Sequence, residues 1–186
     1  MSDTTTPLHN KITIVDEYDY VIGSEYLFPA LEQGLIRRCS RVFVFNHAGE
    51  ILLQQRSEHV RFPLMFDHSA SGHVDEGDTY ESTAYREMQE EIGLTNQQCS
   101  LHVLLPAQYY TELGTTKLFA ETYYTTIDTD TPFTTSVNEV ASLRWLTLEE
   151  LTRNIQAHPD QFTFALRETV ELNKHEIAEA IKSIVG

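Results

Sequence analysis

The stretch GHVDEGDTYESTAYREMQEEIGL, running from Gly72 to Leu94, decides how this chain is read. An acidic, glycine-bearing loop leads into a segment whose apolar residues return at helical spacing. At about 100° per residue, Tyr80, Ala84, Met88 and Ile92 fall into one stripe that can face a core. Glu87, Glu90 and Glu91 share an arc of about 100° beside that stripe rather than opposite it. Like charges at these spacings each cost an isolated helix roughly a few tenths of a kcal/mol. A solvated helix relieves this with lysines, yet the only base within this one is Arg86. A bare acidic triplet reads most simply as a surface helix. The loop Ser71 to Gly77 changes that reading, because it brings carbonyls and further carboxylates to the helix start. Oxygen ligands on a rigid helix and a tight loop suit Mg2+ or Mn2+. The helix is predicted over Thr79–Ile92, with Gly93 as its C-terminal cap.

Outward from that helix, strands and helices interleave without regular strand–helix–strand spacing, so a mixed sheet is expected. Two short strands flank a turn between Lys11 and Ile22, and a short helix is expected from Ser24 to Glu32. Arg38–Phe45 and Ile51–Gln55 read as a hairpin around Asn46-His47-Ala48-Gly49. Ser57–Gly77 is loop-like, with a short strand near Phe66–Ser71. Further strands are expected at 100–110, 117–127 and 143–146. Thr147 and Glu150 form a capping box that opens a helix broken by Pro159, and one or two helices complete the chain. Residues 1–10 read as a loose tail and 11–186 as one domain.

The chain has 186 residues, ordinary globular composition and a formal net charge of −15. Such a surface repels phosphate backbones and anionic lipid, so neither nucleic acid nor a membrane is expected as a partner. A small phosphorylated substrate remains compatible, since a bound divalent cation inverts the local field. Cys39 and Cys99 make neither a disulfide framework nor a zinc site, and with no signal peptide in view a cytoplasmic protein is expected.

The Gly72–Leu94 stretch resembles the signature of the Nudix hydrolases, G-x5-E-x7-R-E-U-x-E-E-x-G-U, with U a bulky apolar residue. Gly72, Arg86, Glu87, Met88, Glu90, Glu91, Gly93 and Leu94 match its defined positions, and Asp78 stands where the family has glutamate. With the flanking strands and the Thr147 box, the resemblance extends over roughly residues 36–156. It implies an α/β fold, a three-layer α/β/α sandwich around a mixed sheet. It also implies metal-dependent cleavage of a diphosphate linked to another moiety, X. By position, Glu90 and Glu91 would be metal ligands, Glu87 a ligand or the base that activates water, and the Gly72 carbonyl a further ligand. Arg86 would orient the carboxylates through salt bridges. Asp78, one methylene shorter, would brace the loop more weakly. The partner implied is a small diphosphate compound, and a homodimer is compatible.

Asp16-Glu17-Tyr18, Ile51–Ser57 and Phe66–His73 resemble the branch of the family that includes the isopentenyl diphosphate isomerases. Those enzymes share the fold but move a double bond, and have a cysteine directly before the glycine–histidine pair. Here that residue is Ser71, Arg37 sits near their upstream histidine, and Thr115 and Lys117 fall where they have distal glutamates. The chain therefore reads first as a hydrolase of a nucleoside diphosphate-X compound. An isomerase-like enzyme and a non-catalytic diphosphate-binding module are the alternatives, and the intact Arg-Glu-x-x-Glu-Glu core disfavours the module. Arg56 is the candidate for gripping a substrate phosphate, against a surface salt bridge. Glu139 is the candidate for an extra ligand or base. His68 and His73, with Asp67, could suggest a transition-metal site, but a histidine pair in a loop reads first as hydrogen-bonded structure. Tyr109 and Tyr110 read as packing, with stacking on a base or sugar as the alternative.

Overall fold

The computed structural model describes residues 10–112 and 116–186. The expected N-terminal tail lies outside the described residues but for Asn10, as does Thr115. Strands β1 (Ile12–Val15) and β2 (Val21–Glu25) form an antiparallel hairpin. The Asp16 carboxylate closes its turn by accepting from the N–H groups of Tyr18 and Tyr20. The helix expected from Ser24 begins later. Ser24 belongs to β2 and donates its hydroxyl to Glu76, and α1 spans Leu27–Glu32. Pro29 falls in the first turn of α1, where a missing N–H breaks no helical hydrogen bond.

β3 (Ile36–Asn46) is the spine of the sheet. The Asn46 side chain accepts from the N–H groups of Ala48 and Glu50 and turns the chain into β4 (Glu50–Arg56). The loop-like stretch after it contains two strands, β5 (Phe66–Asp67) and β6 (Ala70–His73), where one was expected. Then come α2 (Tyr80–Glu87), β7 (His102–Glu112), β8 (Thr116–Ile127) and β9 (Val140–Thr147). α3 (Leu148–Ala157), α4 (Phe164–Leu172) and α5 (Lys174–Val185) end the chain, with a 3-10 turn at Pro159–Gln161. β8 runs parallel to β3 along Arg37–Asn46, while the other pairings are antiparallel, so the sheet is mixed.

Alternation along β3 and β4 builds three layers. Val42, Val44 and Leu52 face one way, into a core with Ala84, Met88 and Ile92 of the carboxylate helix. Phe43, Phe45, Ile51 and Leu53 face the other way, into a core with Leu151, Leu166, Val170 and Ile177 of α3, α4 and α5. The architecture is the expected α/β/α sandwich. No helix among the described residues is long and apolar enough to cross a membrane.

The carboxylate helix departs from the expected single α-helix. Thr79 caps it through a reciprocal box with Ser82, but α2 ends at Glu87 and Met88–Ile92 is a π-helical turn. Gly93 ends the turn at φ 77°, with its N–H bonded to the Met88 carbonyl. A Cβ at Gly93 would lie 2.8 Å from the Thr134 carbonyl oxygen. Gly93→Ala combines the left-handed penalty with that contact. It is expected to cost about 2 kcal/mol and lower the melting temperature by roughly 4–8 °C. An unchanged melting curve would show that the turn relaxes freely.

Candidate metal and diphosphate site

Three elements deliver the carboxylates. The π turn tucks Glu91 beneath the loop, where it is 7 % exposed. Its Oε2 accepts from Gln54 Nε2 at 2.8 Å and from the Ser71 N–H at 2.9 Å. Glu87, at the end of α2, lies against Gly72, where any Cβ would collide with the Glu87 carboxylate. Only glycine allows β6 and α2 to approach this closely. Glu90 is turned outward and 52 % of its side chain is exposed.

Burial raises the Glu87 carboxyl, the Arg86 guanidinium opposes it, Glu90 and Glu139 add to it, and the net value is about 7. Burial, then the charge of Glu87, pushes Glu91 well above the carboxylate range. Two buried carboxylates that resist joint ionisation fit a hard divalent cation, which would remove the repulsion. Among the described residues no three His, Cys, Asp or Glu side chains converge tightly enough to enclose an ion.

Arg86 organises the acidic rim. Its Nη1 lies 2.8 Å from Glu87 and 3.1 Å from Glu90, and its Nη2 donates to the His73 carbonyl at 3.2 Å. Asp75 and Asp78 stand off at 3.7 and 3.8 Å, and the buried Nε of Arg86 makes no hydrogen bond. Asp78 thus stops short of the guanidinium, in keeping with one methylene fewer than the usual glutamate.

Two cavities meet at Ser71, Gly72, His73 and Arg56. The acidic one, about 390 Å³, is lined by Arg86, Glu87, Glu90, Glu91 and Glu139. Of the sequence candidates, Gly72, Arg86, Glu87, Glu90, Glu91, Glu139 and Arg56 therefore stand around one space. The larger cavity, about 610 Å³, opens on the other side of Arg56.

Arg56 makes a salt bridge, but an inward one. Its Nη1 lies 3.1 Å from Asp67, whose side chain is 7 % exposed. Oδ1 of Asp67 accepts from the His68 N–H, from His68 Nδ1 and from the Thr163 hydroxyl, each at 2.9 Å. Thr163 caps α4, so the C-terminal layer helps to set the arginine. Sequence reasoning weighed Asp67 only beside His68 and His73 and missed it as the brace of Arg56, and it missed Gln54. Gln54 had a signal: it alternates with Leu52 on an inward-facing strand. Asp67 had none, because its partner Thr163 is remote in the chain. His68 is buried between Asp67 and Thr169, as structure rather than as a metal ligand. Tyr110 is buried against the Arg41 guanidinium and Tyr109 packs edge-on to Phe119, the packing reading of both.

Burial alone would raise the Asp67 carboxyl. The His68 hydrogen bond, His68 charge and Arg56 guanidinium outweigh it and hold it at about 2. His68 itself is pushed down, by burial foremost. Arg56 is the partner of Asp67 whose charge does not change with pH in this range. A depressed carboxyl stabilises the fold above its unfolded value of 3.8, and the contribution fades as pH falls through about 2. It amounts to about 2–3 kcal/mol. Asp67→Asn is expected to lower stability at pH 7 by about 3 kcal/mol, since Arg56 loses a buried partner, and to flatten the stability curve between pH 4 and pH 2. Denaturation across that window checks it, and an acid limb as steep as wild type would assign the effect elsewhere.

The chain belongs to the NUDIX domain family, whose model matches residues 35–167. It is 42% identical over 85 residues to an uncharacterized Nudix hydrolase of Nostoc, covering 45% of this chain and 50% of that one. The match thus spans about half the length of that relative. It is 30% identical over 164 residues to an isopentenyl-diphosphate Delta-isomerase of Nocardia farcinica, covering 87% of this chain and 93% of that one. Among solved structures, DR0079 of Deinococcus radiodurans superposes with a TM-score of 0.75 at 27% identity, over 88% of this chain and 98% of that one.

Proposed function

We propose that the protein hydrolyses a diphosphate linkage in a nucleoside diphosphate-X type small molecule, using Mg2+ or Mn2+. The observation that carries this reading is the buried pair Glu87 and Glu91 beside Gly72, with Arg56 and Glu139 on the same cavity. A divalent ion at the carboxylates would neutralise charge on the leaving oxygen and lower the pKa of a bound water. Glu87, Glu90, Glu91 and the Gly72 carbonyl would hold it. Gln54 and the Ser71 N–H fix one oxygen of Glu91, and the other would be available to a cation. Arg86 restrains Glu87 and Glu90 on the rim of the cavity that would take the cation. Arg56, braced by Asp67, grips a non-bridging phosphate oxygen. Glu87 takes the proton of the attacking water, and Glu139 is the second carboxylate within reach of that role. The acidic surface suits a small ligand charged through metal rather than nucleic acid. Cys39 and Cys99 are not joined in a disulfide, which fits a reducing, cytoplasmic setting.

The Nocardia relative's name supports a second reading, an isomerase acting on an isoprenoid diphosphate. Ser71 opposes it, because a serine hydroxyl is far less acidic than a thiol and serves poorly in proton transfer to carbon. One experiment separates the two. Nucleoside diphosphate compounds and isopentenyl diphosphate are incubated with the protein and Mg2+ or Mn2+ in D2O. Release of phosphate or nucleoside monophosphate, with no deuterium on carbon, is the expected result. Carbon-bound deuterium would overturn the hydrolase reading.

A further inference from the structure

Strand β9 changes register against β4 where the acidic cavity begins. From Glu50 onward the pairs run regularly, ending with Gln55 opposite Ser142. Regular pairing would next set Arg56 against Ala141, but Val140 stands there instead. The extra residue on β9 makes a β-bulge, a device that re-aims the chain beside it. The slip brings Glu139, rather than Val140, level with Ser57, whose N–H donates to the Glu139 carbonyl at 2.8 Å. Arg56 and Glu139 both line the acidic cavity, so the bulge sets which residue of β9's approach reaches that wall.

Glu139 lies on a turn that apolar packing does little to hold. Val137, the apolar residue of that turn, is 80 % exposed. Hydrogen bonds do the holding. The Ser136 carbonyl accepts from the N–H groups of Glu139 and Val140, at 3.0 and 2.8 Å, and closes the turn. On one side, Thr134 and Ser136 donate their N–H groups to the carbonyls of Ile92 and Glu91, each at 3.1 Å. Carbonyls at the end of a helix have no partner within it, so the turn is anchored on acceptors that need donors. On the other side stands Ser57. Its hydroxyl donates to the Asn138 carbonyl and accepts from the His59 N–H at 3.2 Å.

Ser57 thus ties the strand end that carries Arg56 to the turn that carries Glu139. It is 3 % exposed, and among the described residues it is not one that lines either cavity. A buried hydroxyl that donates to one loop and accepts from another fixes their spacing. A long glutamate side chain is placed only as well as the backbone beneath it. Arg56 has braces of its own, in Asp67 and in the Arg61 carbonyl that its Nε reaches at 2.7 Å. Loss of the Ser57 hydroxyl therefore falls on Glu139.

We propose that Ser57 is a positioning residue, clipping the 136–139 turn to the end of β4 so that the Glu139 carboxylate stands at the acidic cavity. The proposal rests on the reading of that cavity as the metal and diphosphate site. Ser57→Ala is made in two backgrounds, Glu139 intact and Glu139→Gln. Two readouts are taken: steady-state constants on the best diphosphate substrate, and the Kd for Mn2+ by titration calorimetry without substrate. With Glu139 intact, Ser57→Ala is expected to lower kcat about tenfold while KM moves less than about twofold. Mn2+ binding should weaken by about the same tenfold, the effect of losing a partner that orients a ligand. In Glu139→Gln both losses should shrink below about twofold, because no carboxylate is left to place. Should Ser57→Ala fail to fold, Ser57→Cys, a weaker donor of similar size, takes its place in the same cycle. A loss confined to the background with Glu139 intact, in kcat or in Mn2+ affinity, supports the positioning role. Equal losses in both backgrounds, a loss in KM alone, or no loss in either readout overturns it. A Mn2+ loss confined to that background, with no diphosphate hydrolysed, supports the clip and removes the hydrolase reading instead.

Discussion

Glu87→Gln is expected to lower kcat by about 10²–10⁴-fold on the best diphosphate substrate, the range for a positioned acid–base group. The change is nearly isosteric and removes a charge that the fold does not need, so the variant should remain folded. The size follows from position. Glu87 is the carboxylate that Gly72 allows against β6, and it lines the same cavity as Glu90, Glu91, Glu139 and Arg56, where an attacking water would be activated. A steady-state assay with circular dichroism on the same sample checks it. Turnover near wild type would move the base elsewhere, and Glu139, on the same cavity, is then the carboxylate to replace.

The second large effect is on stability. Saturating Mg2+ or Mn2+ is expected to raise the melting temperature by roughly 5–15 °C, from linkage of about 2–4 kcal/mol at concentrations well above Kd. The driving force is relief of the repulsion and burial that raise both Glu87 and Glu91. The double variant Glu87→Gln/Glu91→Gln should lose the shift. In EDTA at pH 7 it should also melt higher than wild type, because glutamine keeps the Gln54 and Ser71 contacts without the charge. Differential scanning calorimetry in EDTA and in metal reads both. A wild type indifferent to divalent cations by melting and by titration calorimetry would count heavily against the site.

The candidate site of this chain was legible in its sequence because its signal is local. Gly72, Arg86, Glu87, Glu90, Glu91 and Gly93 lie within one loop and one helix, where spacing along the chain is spacing in space. The same locality made the Thr147–Glu150 box readable, and the cap formed as expected. The runs Arg38–Phe45 and Ile51–Gln55 were legible as a hairpin, while the burial of both its faces, with a layer on either side, came from the family resemblance and is seen in the two cores. Local rules failed where neighbouring segments compete. Ser24 looked like a helix cap, but Glu76, remote in sequence, drew it into β2.

Beyond that reach, tertiary structure decided. A uniform 100° wheel placed three carboxylates in one arc. The π turn instead buried Glu91 and left Glu90 at the rim, while Glu87 at the end of α2 came to lie against a glycine. Arg56 could be named from its place at a strand end. Its orientation comes from Asp67 on another strand and Thr163 at a helix in the third layer. The larger cavity has no sequence signature, because its walls come from α1, β3, the 57–65 loop and the start of α4. A sequence encodes periodicity and caps directly, since both depend on neighbours within one helical turn. It encodes long-range polar partnership only through the packing that brings distant side chains together, and that packing exists only once the two cores have closed on the sheet.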